Sequence, residues 1–162
     1  MMSGRFVARA AAVVAFVLGV GSAAISAWWA VGGTALLDTV GGEIERWGRQ
    51  RSPEVVGALW LIAVLKAGVG AAAPVLVWRP AHLPAWTFGM VPRALGWIAT
   101  IVLTIYGGVL TAVGLLVQVG IITASADSDP RALAWHAYLW DPWFLCWGAA
   151  FGVGLWLTRH RS

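Results

Sequence analysis

Four apolar runs, each almost free of charge and long enough to cross hydrocarbon, constrain this chain more than anything else in it. A helix rising about 1.5 Å per residue needs roughly 20 apolar residues to span a bilayer core. The runs lie near Ala10 to Val31, Glu54 to Trp78, Ala94 to Ile122 and Pro142 to Leu157. The third is the longest and predicts tilt or protrusion; the fourth is the shortest. In lipid each must be helical, because no water is present to pair with an exposed backbone N–H. Composition agrees: 60% of the residues are apolar and 11% charged, whereas soluble chains run at about 25% charged. So few charges cannot cover a water-facing surface, which argues against a soluble enzyme. The 12 tryptophans suit a chain whose indoles sit where hydrocarbon meets headgroups.

Start signals mark the runs. Ser52 before Pro53 reads as a helix cap followed by a first position where a missing N–H is harmless, and Asp141 before Pro142 repeats the pattern at the fourth run. Pro92 opens the third. Asp129 and Pro130 precede Arg131 to Trp140, too short to span and so expected to lie along the interface. The first run follows Arg5 and Arg9, and Ser22, Ala23 and Ala24 resemble a signal-peptide cleavage site. The run continues through Trp28, Trp29 and Val31, which favours a retained anchor. With no internal repeat or low-complexity linker, residues 1–162 read as one transmembrane domain. The expected fold is all-α: an integral membrane four-helix bundle, up-down-up-down, with short interfacial helices on the outer side.

Charge sets the expected orientation. Four spans put Arg5, Arg9, Arg79, Arg93, Arg159 and Arg161 on one side with no acid among them. The other side holds Arg46, Arg49, Arg51 and Arg131 together with Asp38, Glu43, Glu45, Glu54, Asp127, Asp129 and Asp141. Cytoplasmic loops are rich in Lys and Arg, so both termini are expected in the cytoplasm and the protein in the plasma membrane. The net charge of +4 is scattered at run ends rather than gathered into a patch, which speaks against nucleic acid as a partner.

The sharpest single residue is Lys66, in the middle of the second run and the only lysine in the chain. A charge at mid-bilayer must face the bundle interior and find a partner. Its helical neighbours Ala63, Gly70 and Ala73 are small enough for another helix to come close. Lys66 begins about 20 Å of helix beyond Pro53, too deep for its side chain to reach the interface. Two readings stay open: a pin bonded to carbonyls or to Tyr106 and Thr104, or a titrating or ligand-binding group, which an ammonium can be and a guanidinium cannot. No span carries an acid in its interior to pair with it. The stretch Thr34 to Trp47, bracketed by Gly32-Gly33 and Gly41-Gly42, brings Asp38 and Glu43; it either dips back toward Lys66 or rests as an amphipathic helix on the outer surface.

Other chemistry is sparse. His82 and His160 are expected on one side and His136 on the other, so they cannot share a metal. Cys146 stands alone and reads as a small buried apolar side chain. No catalytic, cofactor or metal pattern emerges. Trp28, Trp29, Trp47, Trp60, Trp135, Trp140, Trp143 and Trp147 all fall in the outer half of the expected topology. Trp28, Trp29, Trp140 and Trp143 with Asp141 then form an outer aromatic cup or an interfacial anchor. Gly148 and Gly152 space small residues one turn apart, fit either for packing within the bundle or for joining two copies or another protein. Membrane lipids are the expected surroundings.

Two motifs carry a resemblance: Trp28-Trp29-Ala30-Val31-Gly32-Gly33 closing the first run, and Leu139-Trp140-Asp141-Pro142-Trp143-Phe144 with Trp147-Gly148 opening the last. In these the chain resembles the small actinobacterial membrane proteins grouped as domain of unknown function 3995. It departs from many members at Ser26, where they place a histidine, so a role for that histidine does not transfer. The resemblance implies the four-helix membrane architecture and no activity. The functional expectation is a non-enzymatic accessory or interaction protein with a buried lysine, the alternative being a small transporter or proton-linked carrier using Lys66.

Overall fold

The computed structural model describes residues 3–125 and 128–159; Asp127, His160 and Arg161 lie outside them. All regular structure among the described residues is helical. The helices are α1 (Gly4–Ala30), α2 (Gly42–Gln50), α3 (Pro53–Trp78), α4 (Met90–Gln118), α5 (Pro130–Trp135) and α6 (Asp141–Leu157). Short 3-10 turns occupy Leu37–Thr39 and Ala85–Phe88, and a π-helical turn occupies His136–Trp140. Three helical segments are long and apolar enough to cross a membrane: Gly4–Ala30, Pro53–Trp78 and Ala85–Gln118. At 17 residues α6 is shorter, although α5 and the π turn extend it toward its N-terminus.

Two proline-marked starts fold as the residue chemistry dictates. The Ser52 hydroxyl accepts from Val55 N at 3.4 Å ahead of α3, and the Asp129 carboxylate accepts from Arg131 N at 2.9 Å ahead of α5. Pro92 falls in the first turn of α4. The start expected at Asp141 and Pro142 is different. Trp140 and Asp141 already hold right-handed helical dihedrals, and α5, the π turn and α6 follow one another without a break. The widened turn accommodates a residue with no N–H to donate. Asp141 therefore caps nothing, and its carboxylate is free for another partner.

Packing is built on small residues. Ser26 meets Lys66, Gly19 meets Gly70, and Ala8 and Ala12 meet Val77, so α1 and α3 run in opposite directions. α6 also runs against α1: Trp143 Nε1 donates to Leu18 O at 2.9 Å, while Gly154 lies near Ala8 and Ala12. Along α4 and α6, Gly107 approaches the backbone of Asp141 and Leu145, Gly148 packs on Thr104, and Gly152 packs on Thr100. Gly148 and Gly152 thus serve a contact inside the chain. The main core gathers Ala15, Ala73, Leu76, Trp147, Phe151 and Leu155. α3 and α4 touch little, chiefly where Gly96 meets Leu76. Cys146, expected inside, is exposed, because α6 turns that face away from both α1 and α4.

The opposite end carries a cap. Arg51 donates to Trp29 O and Ala30 O at 3.4 and 3.3 Å, joining Gly32 N, which also donates to Trp29 O, in capping the end of α1. Trp29 Nε1 donates to Ala35 O at 2.9 Å, and Trp140 Nε1 to Thr39 Oγ1 at 3.1 Å. The Thr39 hydroxyl in turn donates to Leu36 O at 2.6 Å. Thr34 to Trp47 breaks into the 3-10 turn and the start of α2, burying Leu37 and Thr39. Gly33 is required there, because a Cβ would occupy the place of the Trp28 indole.

Candidate functional site

Beneath the cap lies a cavity of about 280 Å³ into which most of the chain's distinctive polar and aromatic groups converge. α1 supplies Ser22, Ser26 and Trp29; α3 supplies Leu59, Ile62 and Lys66; α4 supplies Tyr106. The π turn and α6 supply His136, Trp140, Asp141 and Phe144, and Val40 and Ile44 close the cap side. A broader, shallower depression lies at the other end, among Arg79, Phe88, Arg93 and Trp97.

Lys66 is partly buried in this wall. Its ammonium donates to Ser26 Oγ at 3.1 Å and stands 5.4 Å from the centre of the Phe144 ring. Ser26 Oγ donates onward to Ser22 O at 3.3 Å. An ammonium has three protons to give, and among the described residues no carboxylate lies within ion-pair distance of it. The expected bond to Thr104 is absent: that hydroxyl is buried against Gly148 with no hydrogen-bond partner. Tyr106 lines the same cavity, about half exposed, with its ring edge-on to Phe144 at 5.6 Å.

Asp38 and Glu43 stay away from this cluster. Asp38 pairs with Arg131 at 2.9 Å on the surface, and Glu43 pairs with Arg46 one turn along α2. Of the two readings the sequence leaves open for the stretch that holds them, a dip toward Lys66 or a surface position, these pairings accord with the second. The acid that does share the cavity is Asp141, only 3% exposed. Its Oδ1 lies 3.3 Å from His136 Nδ1, while His136 Nε2 lies 3.1 Å from Val40 O. Two acceptors facing both ring nitrogens favour the doubly protonated imidazolium. In a regular α-helix, residues five apart point about 140° from one another; the π turn brings this pair to one side. That turn is the signal a sequence reading lacked.

The four cup tryptophans take separate positions. Trp29 and Trp140 are buried, meet edge to face at 6.1 Å and line the cavity. Trp143 wedges between α6 and α1 over Gly21. Trp28 is half exposed and packs on Gly33. The two tryptophan-rich motifs of the sequence therefore meet in space at Trp29 and Trp140. No group of three metal-ligating side chains occurs among the described residues.

Residues 19–151 match the family described as Protein of unknown function (DUF3995), and the chain belongs to that family. Every residue lining the cavity falls within the matched segment. No curated protein and no solved structure matches the chain.

Proposed function

We propose that this DUF3995 member is a four-crossing plasma-membrane protein, with both termini cytoplasmic, that binds a small anionic ligand at Lys66 from the outer half of the bilayer. One observation carries the reading: a mid-span ammonium stands at the wall of a cavity with a hydroxyl and an aromatic face for company and, among the described residues, no carboxylate within ion-pair distance. A charge at that depth costs about 2.5 to 3.5 kcal/mol on insertion scales, and an uncompensated one is retained for what it binds. Asp141 does not fill the role, because it is engaged by His136. α6 makes the fourth crossing, lengthened by the π turn, and the arginine distribution sets the orientation.

Binding rather than transport is the favoured role. On the cytoplasmic side of Lys66 the bundle core between α1, α3 and α6 is filled by Trp147, Phe151 and Leu155, all 1% exposed or less. A carrier needs a second opening there. Catalysis needs a further free acid or base beside Lys66, and the His136–Asp141 pair holds the one acid in the cavity.

The test has two arms. Reporters fused after Ser162 or inserted near Ala85 should read cytoplasm, and one near Asp127 outside; a C-terminal reporter active only outside the cell overturns the topology. The purified full chain is then titrated with radiolabelled phosphate, benzoate and palmitate. At least one should bind at one per chain and lose tenfold or more in affinity in Lys66→Met. If none shows a dependence on Lys66, the cavity is not an anion site.

A further inference from the structure

The Lys66 cavity does not end the open space along α3. A second, apolar groove of about 240 Å³ follows the seam between α3 and α4, lined by Gly68, Ala72 and Leu76 on one side and Leu95, Gly96 and Ala99 on the other. It begins within one turn of Lys66, because α3 and α4 diverge instead of packing. Gly68 has nothing within 4 Å of where a Cβ would stand. From Lys66 to Leu76 the helix rises about 15 Å, within the reach of a long acyl chain. Ile62 on α3 and Tyr106 on α4 both line the Lys66 cavity and are 42% and 49% exposed. The seam therefore opens sideways, toward surrounding lipid in the topology proposed above.

Resting on that anion-binding reading, we propose that the ligand is a single-chain amphiphile with one negative charge on its head, taken sideways from the bilayer between α3 and α4. The head pairs with the Lys66 ammonium beside Ser26, and the chain lies in the apolar groove. Charge complementarity fixes the head: the cavity holds one ammonium, while the His136–Asp141 pair is self-compensated. Apart from Thr87, the walls beyond Gly68 are apolar and carry no charged side chain, which suits hydrocarbon. A water-soluble anion uses the cavity alone and leaves the groove without a role.

The experiment uses the full chain in phosphatidylcholine nanodiscs, with radiolabelled palmitate as probe and butyrate, hexadecanol and dipalmitoyl phosphatidylglycerol as competitors. Palmitate should bind at one per chain, with Lys66→Met weakening it tenfold or more. Gly68→Leu puts a side chain into the groove where no atom stands in the way. It should weaken palmitate about tenfold and leave butyrate unchanged. Hexadecanol and the two-chain lipid should compete at least tenfold less well than palmitate. Thermal melting of both variants near the parent value confirms that they fold. If butyrate binds as tightly as palmitate through Lys66 and Gly68→Leu changes nothing, the lipid assignment falls while the anion site stands. Should phosphatidylglycerol outcompete palmitate, the single-chain assignment is wrong; absence of any Lys66-dependent binding removes both readings.

Discussion

Gly19→Ala is the substitution whose effect follows most directly from the packing. A Cβ on Gly19 would lie 2.6 Å from Gly70 Cα and 2.8 Å from Trp147 Cζ2. The first neighbour is backbone and the second belongs to an indole held 1% exposed in the core, so neither moves alone. α1 must shift away from α3, an overpacking that costs about 1 to 3 kcal/mol. Alanine's better helix propensity returns up to about 1 kcal/mol, leaving a net loss of up to about 2 kcal/mol and a gap of about 1 to 3 kcal/mol to a control that shares the propensity gain. Gly68→Ala is the matched control: the added methyl meets nothing within 4 Å, so the variant keeps the propensity gain and should be neutral or steadier. Ser26 lies two turns beyond Gly19 on the same helix, so the shift also lengthens its bond to Lys66, now 3.1 Å. Unfolding of both variants in dodecyl maltoside, followed by near-ultraviolet circular dichroism, gives the comparison. Equal stability of Gly19→Ala and Gly68→Ala would refute the close α1–α3 approach and, with it, the placement of Ser26 beside Lys66.

Further perturbations probe the cap and the membrane. Asp141→Asn takes away the carboxylate that faces His136 Nδ1 at 3.3 Å and should destabilise by about 1 to 3 kcal/mol in a denaturant titration; an unchanged midpoint would mean the pair does not fasten the π turn. Trp140→Phe removes the donor to Thr39 Oγ1 and the edge contact with Trp29, and should destabilise by about 1 to 3 kcal/mol in a denaturant titration; no loss would mean the cap is not fastened there. Cys146 is exposed on α6 and faces lipid in the proposed topology, so a charged maleimide should leave it unlabelled in native membranes and label it fully in dodecyl sulfate.

The long elements were legible because hydropathy and proline-marked starts are local. Ser52-Pro53 opens a helix, since the residues before it turn at Arg51 with φ +52°. Asp141-Pro142 carries the same signal and opens nothing, because helix already precedes it; chain history overrides the dipeptide. Lys66 stood out as a lone charge among small residues, and Ala63, Gly70 and Ala73 do form the face that α1 approaches. Its neighbour Ser26 lies 40 residues away and could not be chosen over Tyr106 or Thr104 by spacing. The His136–Asp141 pair escaped because only a π turn makes a separation of five residues a contact. Sequence alone leaves Asp38 either dipping toward Lys66 or lying on the outer surface, and the fold gives the inward position to Leu37 and Thr39 and pairs Asp38 with Arg131.

The central claim is that the protein itself does not compensate the Lys66 charge, and that an anion does. The unfolding free energy of Lys66→Met against the parent, each stripped of lipid and then given palmitate, tests it most directly. Without ligand the variant should be at least as stable as the parent, since exchanging an uncompensated ion for an apolar side chain is neutral or stabilising. With ligand at a hundred times its Kd, the parent alone should gain about 2.7 kcal/mol, reversing the order. A ligand-free variant less stable by about 3 to 5 kcal/mol, with no change in that gap on adding palmitate, would contradict the account and make Lys66 a structural pin.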